Sequence, residues 1–324
     1  MKIGILTFHN ADNYGAVLQC YALQEHLKKI YPNDEVYVID YRNSLIERSY
    51  KPICLRKSLK QNVTQFLHLP HVLKCRTKFK DFRKKYFNIG RAEFSDYDII
   101  YYGSDQIWNP EITGEDLMYF GKGFHGKKIA YGVSDGGELT ISDEIRTLLN
   151  SFDKILCREE SLLQRLKNEN ISAPVETVCD PVFLLSKDQW KKFARTPIQK
   201  KYILAYMMAN RIDFNDSAEK IGKILHKKVV QIVYIKALKK IFYKKQKIVE
   251  CITPEQFVGY IANSNFVLTT SFHGTAFSIL FEKPFYVLSF ERRAERIKDL
   301  LKERGLESCF VNEIPADIEI ANKV

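Results

Sequence analysis

Short apolar runs alternate with longer amphipathic segments along most of this 324-residue chain. The run from Lys2 to Phe8 is typical of a buried strand, and the segment from Gly15 to Ile30 carries apolar residues at helical spacing. A second apolar run begins at Glu35, and the same order recurs towards the carboxyl terminus. Because a helix that crosses between two strands of one sheet makes those strands parallel, the alternation predicts an α/β fold with parallel sheets.

A polar stretch over residues 187–200 divides this alternation into two sets of elements. We predict an N-terminal Rossmann-like domain over residues 1–190 and a C-terminal Rossmann-like domain over residues 200–324. The first domain would carry a basic helical insertion near residues 45–90, which we predict to be two helices split at Pro70 because proline interrupts helical hydrogen bonding. A chain of this length can bury cores of normal size.

The seven cysteines are scattered, and no two of them are spaced as C-x-x-C. This pattern argues against a disulfide framework or a zinc knuckle, so no metal site is predicted and a reducing cytosol is the simplest compartment. No apolar run approaches about 18 residues, so no transmembrane helix is expected. The apolar run after Met1 is too short for a signal peptide, and we expect a cytoplasmic protein.

The formal net charge is +11, and much of it lies in residues 42–86 and 227–247, where apolar residues are interleaved with basic ones. Three interpretations stay open. The charges form solvated helix faces, they contact the inner membrane face or a lipid-linked anionic substrate, or they bind nucleic acid. The third is least supported, because no helix-turn-helix, finger or RNA-binding motif accompanies the charge. We therefore predict no nucleic-acid partner.

Four polar turns follow predicted strands, where α/β folds bind their ligands. The first contains Asn13, Tyr14 and Gly15, and the free amides at the following helix start suit an anion. The motif G-x-G-x-x-G is absent, so a dinucleotide is not indicated. The structural alternative is that Asn13 caps the helix, which is compatible with ligand contact.

The second turn contains Ser104, Asp105 and Trp108. Asp105 could accept a proton or bind sugar hydroxyls, although a tight turn stabilised by Asp105 explains the same residues. In the third turn, Arg158 follows a strand, where its guanidinium could hold a phosphate or carboxylate or form a surface pair with Glu159.

The fourth turn joins the strand that ends near Thr269 to an apolar helix and carries His273 beside Gly274. Histidine is suited to proton transfer near neutral pH, but it can also cap or pack under the helix. Three arginines follow a later strand of the same domain, where they could collect an anionic ligand or form an exposed helix start: Arg292, Arg293 and Arg296.

Taken together, these segments resemble the polysaccharide pyruvyl transferase family. The similarity is carried, in order along the chain, by Asn13-Tyr14-Gly15-Ala16, Gly103-Ser104-Asp105-Gln106-Ile107-Trp108, Ala130-Tyr131-Gly132-Val133-Ser134, Arg158-Glu159, Asp180-Pro181-Val182 and Ser271-Phe272-His273-Gly274-Thr275. The resemblance implies two Rossmann-like domains that face a cleft in a GT-B-like arrangement. It also implies transfer of the pyruvyl group of phosphoenolpyruvate to a sugar diol of a surface-polysaccharide precursor such as capsule or exopolysaccharide, giving a cyclic ketal.

The resemblance also implies roles for individual residues. His273 would bind the donor and act as the acid, and Asp105 would be the general base or an acceptor contact. The residues expected to line the acceptor side or the cleft are Asn13, Tyr14, Gly15, Ser104, Trp108 and Ser134. No cofactor is demanded, since phosphoenolpyruvate is itself the donor. The second substrate is the sugar acceptor, which in one version is linked to a lipid pyrophosphate.

This chain departs from the family pattern at Ser271, where many members carry arginine. Anion binding would then fall to Arg158 or to the arginines at 292, 293 and 296, with Ser271 and Gly274 beside His273. Two alternatives to a pyruvyl transferase stay open. They are a GT-B glycosyltransferase that uses a nucleotide sugar, and a sugar- or anion-binding protein without turnover.

Overall fold

The computed structural model describes residues 1–52, 59–198, 201–207, 212–233, 246–288, 295–315 and 318. The chain divides into two compact units: unit 1 comprises Met1–Lys51 and Asp81–Leu185, and unit 2 comprises Pro52–Lys80 and Ser186–Val324. The division after Leu185 lies beside the polar stretch in which we placed the boundary. Residues 52–80 of the basic insertion, however, group with unit 2 rather than with the first domain.

Unit 1 is built on a seven-stranded parallel sheet. Its strands are β1 (Lys2–Leu6), β2 (Glu35–Ile39), β3 (Ile89–Gly90), β4 (Ile99–Tyr102), β5 (Lys127–Val133), β6 (Lys154–Cys157) and β7 (Val175–Thr177). They lie in the order β3-β2-β1-β4-β5-β6-β7, and neighbouring strands are parallel. The order of the strands reverses between β1 and β4, which is the position where doubly wound sheets bind ligands.

In unit 2, the described residues form a six-stranded parallel sheet with the same topology. Its strands are β8 (Tyr202–Tyr206), β9 (Lys228–Val233), β10 (Lys247–Glu250), β11 (Phe266–Thr269), β12 (Phe285–Leu288) and β13 (Phe310–Val311). They lie in the order β10-β9-β8-β11-β12-β13, so the reversal falls between β8 and β11. The predicted α/β fold is confirmed, with one Rossmann-like sheet in each unit.

Helices connect the strands. They are α1 (Tyr14–Ile30), α2 (Ser44–Ser49), α3 (Leu59–Tyr86), α4 (Pro110–Thr113), α5 (Asp143–Asn150), α6 (Glu160–Asn168), α7 (Lys187–Phe193), α8 (Ile212–Ile224), α9 (Pro254–Ala262), α10 (Phe272–Leu280) and α11 (Glu295–Glu303). Side-chain caps define several starts; Ser186 and Thr253 each form a capping box that satisfies backbone amides of the first turn. Within the described part of the chain, no helix combines the length and apolarity needed to span a bilayer.

Pro70 does not split the basic region into two helices. It lies inside the continuous 28-residue helix α3, which corrects our prediction. The side chain of Pro70 is exposed, and so is Phe66 one turn earlier. The carbonyl group that loses its helical partner can therefore be hydrated, which lowers the cost of a proline within the helix.

Cys75 of α3 and Cys251, which directly follows β10, form a disulfide within unit 2. The sequence argued against a disulfide framework because no local cysteine spacing suggested one. The two cysteines are 176 residues apart, and a pair at that separation leaves no local spacing pattern to detect.

Candidate active site

Polar residues gather at the carboxyl edge of the sheet in unit 1. They follow the ends of five parallel strands, which places all of them on one side of the sheet. In strand order these residues are Thr7 after β1, Asp40 after β2, Ser104 and Asp105 after β4, Ser134 after β5, and Arg158 after β6. Sequence reasoning had singled out four of them as site candidates: Ser104, Asp105, Ser134 and Arg158.

The turn after β4 is fixed against the neighbouring strand. Gly103 has a φ of +122°, and a Cβ there would lie 2.3 Å from the carbonyl oxygen of Tyr131, so a side chain does not fit. Asp105 also has a positive φ, +78°, and forms a parallel bridge with Val133. The amide of Ser134 donates to the Asp105 carbonyl over 3.1 Å. The backbone therefore sets where the Asp105 side chain lies.

Arg158 lies among three carboxylates. Its guanidinium contacts Asp180 at 3.0 Å, Asp105 at 3.5 Å and Glu159 at 3.8 Å. Burial alone would lower the pKa of Arg158, but the charges of these three carboxylates raise it above its ordinary value. The positive charge is thus already offset by protein groups. Arg158 is therefore better placed to orient Asp105 than to bind a substrate anion, which is the role that we had predicted for it.

Within this cluster, exposure distinguishes Asp105 from its partners. The side chains of Arg158, Glu159 and Asp180 are at most 2% exposed, whereas that of Asp105 is 18% exposed. Asp105 is therefore the member of the cluster that a substrate can reach. Three carboxylates against one guanidinium leave an excess of negative charge, which suits neutral hydroxyl groups better than a phosphate.

Ser104 and Ser134, both predicted to line the cleft, are buried and support this cluster from within. The Ser134 hydroxyl lies 2.6 Å from a carboxylate oxygen of Glu159. The backbone of Ser104 is held on both sides, because its amide donates to Gln19 over 3.2 Å and its carbonyl accepts from Thr7 over 2.8 Å. Gln19 also donates to Thr7 over 2.9 Å, which links β1 and α1 to the turn after β4.

Asn13 caps α1. Its side-chain oxygen accepts from the amides of Gly15 and Ala16, at 2.8 and 3.3 Å, and Tyr14 is buried. The capping alternative is therefore observed, and two of the amides at this helix start are satisfied within the protein. Contact of Asn13, Tyr14 and Gly15 with a substrate stays a prediction.

Tyr50 belongs to the same region, and sequence reasoning missed it. Burial, with the charges of Asp105 and Asp12, raises the pKa of Tyr50 to about 12, while a hydrogen bond to Asn13 opposes the shift. The phenol therefore stays protonated and is a donor near neutral pH. No local motif marks Tyr50, because it lies in the turn after α2, far along the chain from the groups it joins.

Sequence reasoning also missed a histidine–aspartate pair at the end of β2. Nε2 of the buried His9 is 3.0 Å from a carboxylate oxygen of Asp40. This hydrogen bond, with two further ones from Arg42, holds the pKa of Asp40 well below its ordinary value. The usable sequence signal was positional, since His9 and Asp40 each lie shortly after a strand of the same sheet edge.

Trp108 and Cys157 both lie in the interior of unit 1. Trp108, expected to line the cleft, is 1% exposed, stacks on Phe120 at 5.4 Å and donates from its indole to the Tyr119 carbonyl. It backs the turn after β4 rather than facing a ligand. Cys157 is buried, and burial raises the pKa of its thiol, so it packs as an apolar residue rather than acting as a nucleophile.

In unit 2, the turn between β11 and α10 forms a compact hydrogen-bonded corner. The Thr269 hydroxyl donates to the Tyr206 carbonyl over 2.8 Å and accepts from the Ser271 amide over 3.0 Å. The Ser271 side chain caps α10 by accepting from the Gly274 amide over 3.4 Å. A Cβ on Gly274 would lie 2.4 Å from the Thr269 hydroxyl oxygen, which explains the glycine beside the histidine. The corner fixes the start of α10 against the end of β11.

His273 lies in the first turn of α10, where the helix dipole favours negative charge. Its ring packs edge-on against Phe272, with ring centres 5.3 Å apart, and the Arg296 guanidinium lies 5.7 Å from the centre of the same Phe272 ring. The structure therefore places His273 and Arg296 against the same aromatic side chain. Arg292 and Arg293, the other two arginines in our prediction, lie outside the described residues.

Similar folds occur in solved structures at very low sequence identity. A protein of Listeria monocytogenes assigned as a UDP-N-acetylglucosamine 2-epimerase is 11% identical, with a TM-score of 0.54, and the alignment covers 92% of this chain and 82% of that one. The UDP-N-acetylglucosamine 2-epimerase of Rickettsia bellii is 9% identical, with a TM-score of 0.51, and the alignment covers 91% of this chain and 80% of that one. The UDP-N-acetylglucosamine 2-epimerase of Methanocaldococcus jannaschii is 14% identical, with a TM-score of 0.50, and the alignment covers 92% of this chain and 87% of that one. These likenesses bear on the GT-B-like fold alone.

No functionally curated protein matches this sequence. A sequence model described as polysaccharide pyruvyl transferase, by contrast, matches residues 13–292. The match includes the turn after β4, Arg158 and the His273 turn. It extends over most of both units, and the chain accordingly belongs to the polysaccharide pyruvyl transferase family and is a transferase.

Proposed function

We propose that this transferase moves the pyruvyl group of phosphoenolpyruvate onto two hydroxyls of a sugar in a surface-polysaccharide precursor, forming a cyclic ketal. Family membership supports polysaccharide pyruvylation in general. The observation that carries the donor assignment is the pairing of His273 and Arg296 around Phe272 at the start of α10. A proton donor and a guanidinium beside a helix N-terminus suit a small enol phosphate.

On the donor side, the first turn of α10 and Arg296 would hold the phosphate and the carboxylate. Ser271 caps α10 and carries no charge, so it does not supply the positive charge of the arginine that many family members carry at this position. Arg296 supplies a guanidinium from α11 instead. The Phe272 ring supports that guanidinium by a cation–π contact, which favours a defined orientation.

The reaction balances without any further reagent. A proton from His273 adds to the terminal enol carbon and makes the neighbouring carbon electrophilic. One sugar hydroxyl attacks that carbon and loses its proton, the bond to phosphate breaks, and the second hydroxyl closes the ring. The two hydroxyl protons end on the new methyl group, by way of the reprotonated His273, and on the released phosphate.

On the acceptor side, Asp105 would take the proton from an attacking hydroxyl. Its backbone is fixed by the bridge to Val133, its carboxylate is oriented by Arg158, and it is the most exposed member of the cluster. The negative charge of that cluster discourages the trianionic donor from binding there. The supporting network through Gln19, Thr7 and Ser104 keeps this geometry in place before the substrate arrives.

The direct test incubates the protein with phosphoenolpyruvate and a panel of sugars, free and linked to a lipid pyrophosphate. We expect phosphate release matched by an acceptor that carries the pyruvyl group as a ketal, detected by mass spectrometry and carbon NMR. Methylation of either participating hydroxyl should abolish ketal formation. The absence of both phosphate release and mass gain with every acceptor would contradict the proposal.

Calorimetry separates this proposal from glycosyl transfer on the same fold. We expect binding of phosphoenolpyruvate that is weakened in the Arg296→Ala variant. Binding of nucleoside diphosphates in preference to phosphoenolpyruvate would instead favour a glycosyltransferase that uses a nucleotide sugar.

A further inference from the structure

Two cysteines and a histidine meet in unit 2. His71 and Cys75 are four residues apart on α3, a spacing that places both on one face of the helix. Cys251 follows β10 and has a positive φ of +47°. The Nδ1 or Nε2 of His71 and the two sulfur atoms all lie within 4.8 Å of one another. The fold thus gathers three soft ligand atoms from segments distant in sequence.

The orientation of His71 matches that of a metal ligand. Its Nε2 lies 3.2 Å from the Cys251 sulfur, and its Nδ1 faces a carboxylate oxygen of Glu250 at 3.7 Å. Histidines that bind metals commonly direct their second ring nitrogen to a carboxylate, which fixes the tautomer and the ring plane. Glu250 lies at ion-pair distance from that nitrogen, slightly beyond the length of a hydrogen bond. The ring thus presents Nε2 to the Cys251 sulfur and its other nitrogen to a carboxylate that does not itself need to bind the ion.

The burial and the charge of these three residues also suit the binding of a metal ion. Cys75 and Cys251 are 1% and 3% exposed, whereas the His71 side chain is 28% exposed and leaves a path for an ion to enter. Two thiolates and one neutral imidazole around a divalent cation form an electrically neutral set, which lowers the cost of burial. A fourth position stays available for water, as in zinc sites with three protein ligands.

We propose that His71, Cys75 and Cys251 form a zinc site when the Cys75–Cys251 disulfide is reduced. A dithiol reductant donates two electrons and two protons to the disulfide, giving two thiols and its own disulfide. Zn²⁺ then displaces the two thiol protons and binds both thiolates and Nε2 of His71. Reoxidation by a disulfide oxidant removes the two electrons, restores the Cys75–Cys251 bond and releases the ion.

Cobalt substitution tests the site with the full-length protein. After anaerobic reduction by a phosphine, Co²⁺ is titrated while the thiolate-to-cobalt charge-transfer band is recorded. We expect one Co²⁺ per chain, displacement by Zn²⁺, and no band with the oxidised protein. An absence of stoichiometric Co²⁺ binding by the reduced protein would show that the pair is a structural disulfide alone and would overturn the proposal.

Matched variants assign the ligands. We expect Cys75→Ser and Cys251→Ser to lose the band, and His71→Ala to bind Co²⁺ at least 10-fold more weakly. The controls are His68→Ala, which removes a histidine one turn away on the same helix, and Cys179→Ser, which removes a thiol of unit 1. Both should bind as the wild type does. Circular dichroism identifies variants that fail to fold, and equal binding by the His71→Ala and His68→Ala variants would overturn the assignment of His71.

Discussion

Arg158 and Arg296 show how differently two arginines near a candidate site can act. Arg158 is buried among Asp105, Glu159 and Asp180, so its positive charge is already paired with carboxylates of the protein. The Arg296 guanidinium instead lies over the Phe272 ring next to His273. The first therefore orients a carboxylate, and the second is placed to bind the donor.

His273→Gln should lower kcat by about 10²- to 10⁴-fold, because glutamine keeps the size and polarity but cannot deliver a proton. The KM for phosphoenolpyruvate should change far less. Steady-state phosphate release measures both parameters. His125→Gln, an exposed histidine of unit 1, is the control. Unchanged kcat in the His273→Gln variant would remove histidine from the proposed acid step.

Arg296→Ala should raise the KM for phosphoenolpyruvate by about 10- to 100-fold, the range expected when one charge-assisted hydrogen-bonding group is lost. Arg296→Lys should recover part of the loss, since the charge stays but the planar guanidinium does not. Arg304→Ala, beyond the end of α11, is the matched control. A purely structural role for Arg296 would lower stability without this selective rise in KM.

Asp105→Asn should reduce kcat by about 10²-fold or more while phosphoenolpyruvate still binds, because the amide cannot accept the hydroxyl proton. The measurement is kcat against acceptor concentration, combined with calorimetry for the donor. The exposed Asp143, in the first turn of α5, provides the control Asp143→Asn. Loss of donor binding in the Asp105→Asn variant alone would contradict an acceptor-side role.

The sequence placed Asp105 and His273 in polar turns after apolar strands, and the structure has both turns there, at the edge where α/β sheets bind ligands. Their roles in a site stay predictions. It could not show that Arg158 is enclosed by carboxylates or that Trp108 is buried, since both depend on contacts across several strands. Tyr50 was missed for the same reason, whereas His9 could have been found from its position shortly after β1. Local patterns identify where a site lies, and tertiary packing decides which side chains reach it.

At the level of elements, strand and helix predictions were most accurate where apolar periodicity was long. Helix α1 begins one residue earlier than predicted and ends at the predicted Ile30. Strands β3 and β13 have two residues each, too few to form a periodic pattern. The break predicted at Pro70 was wrong, because solvent exposure of α3 makes a proline tolerable there.

The corner between β11 and α10 offers a test at this scale. Gly274→Ala places a Cβ 2.4 Å from the Thr269 hydroxyl oxygen, so either Thr269 or the helix start must move. We expect a loss of about 1–3 kcal/mol of stability and a drop in activity that exceeds the loss of folded protein. Chemical denaturation and phosphate release give the two readouts.

Thr269→Ala in the same background separates this clash from a general helix effect. If Thr269 is the obstacle, the double variant should be less destabilised than the sum of the single variants. Additive losses would show that the strain lies elsewhere in α10.

For the whole molecule, the two tryptophans of the chain report on different units. Trp108 lies in the core of unit 1, and Trp190 packs against Phe277 in unit 2. Trp190→Phe and Trp108→Phe variants therefore leave one fluorescent reporter for each unit.

Reduction of the Cys75–Cys251 bond in the presence of a chelator should lower the urea midpoint reported by Trp190 more than that reported by Trp108. Both cysteines belong to unit 2, and a native disulfide typically contributes about 2–4 kcal/mol. A Cys251→Ser variant should not respond to reductant. Equal shifts of both reporters would show that the two units unfold as a single cooperative system.

The same bond changes the covalent connectivity of the chain. Residues 75 and 251 are joined, so the Asp81–Leu185 segment of unit 1 lies within a covalently closed loop. A single proteolytic cut anywhere between the two cysteines would leave both fragments attached, and they would separate on a gel only after reduction. A cut outside this interval would release its fragment directly. The oxidised protein is thus a loop with two tails, and the reduced protein is a linear chain.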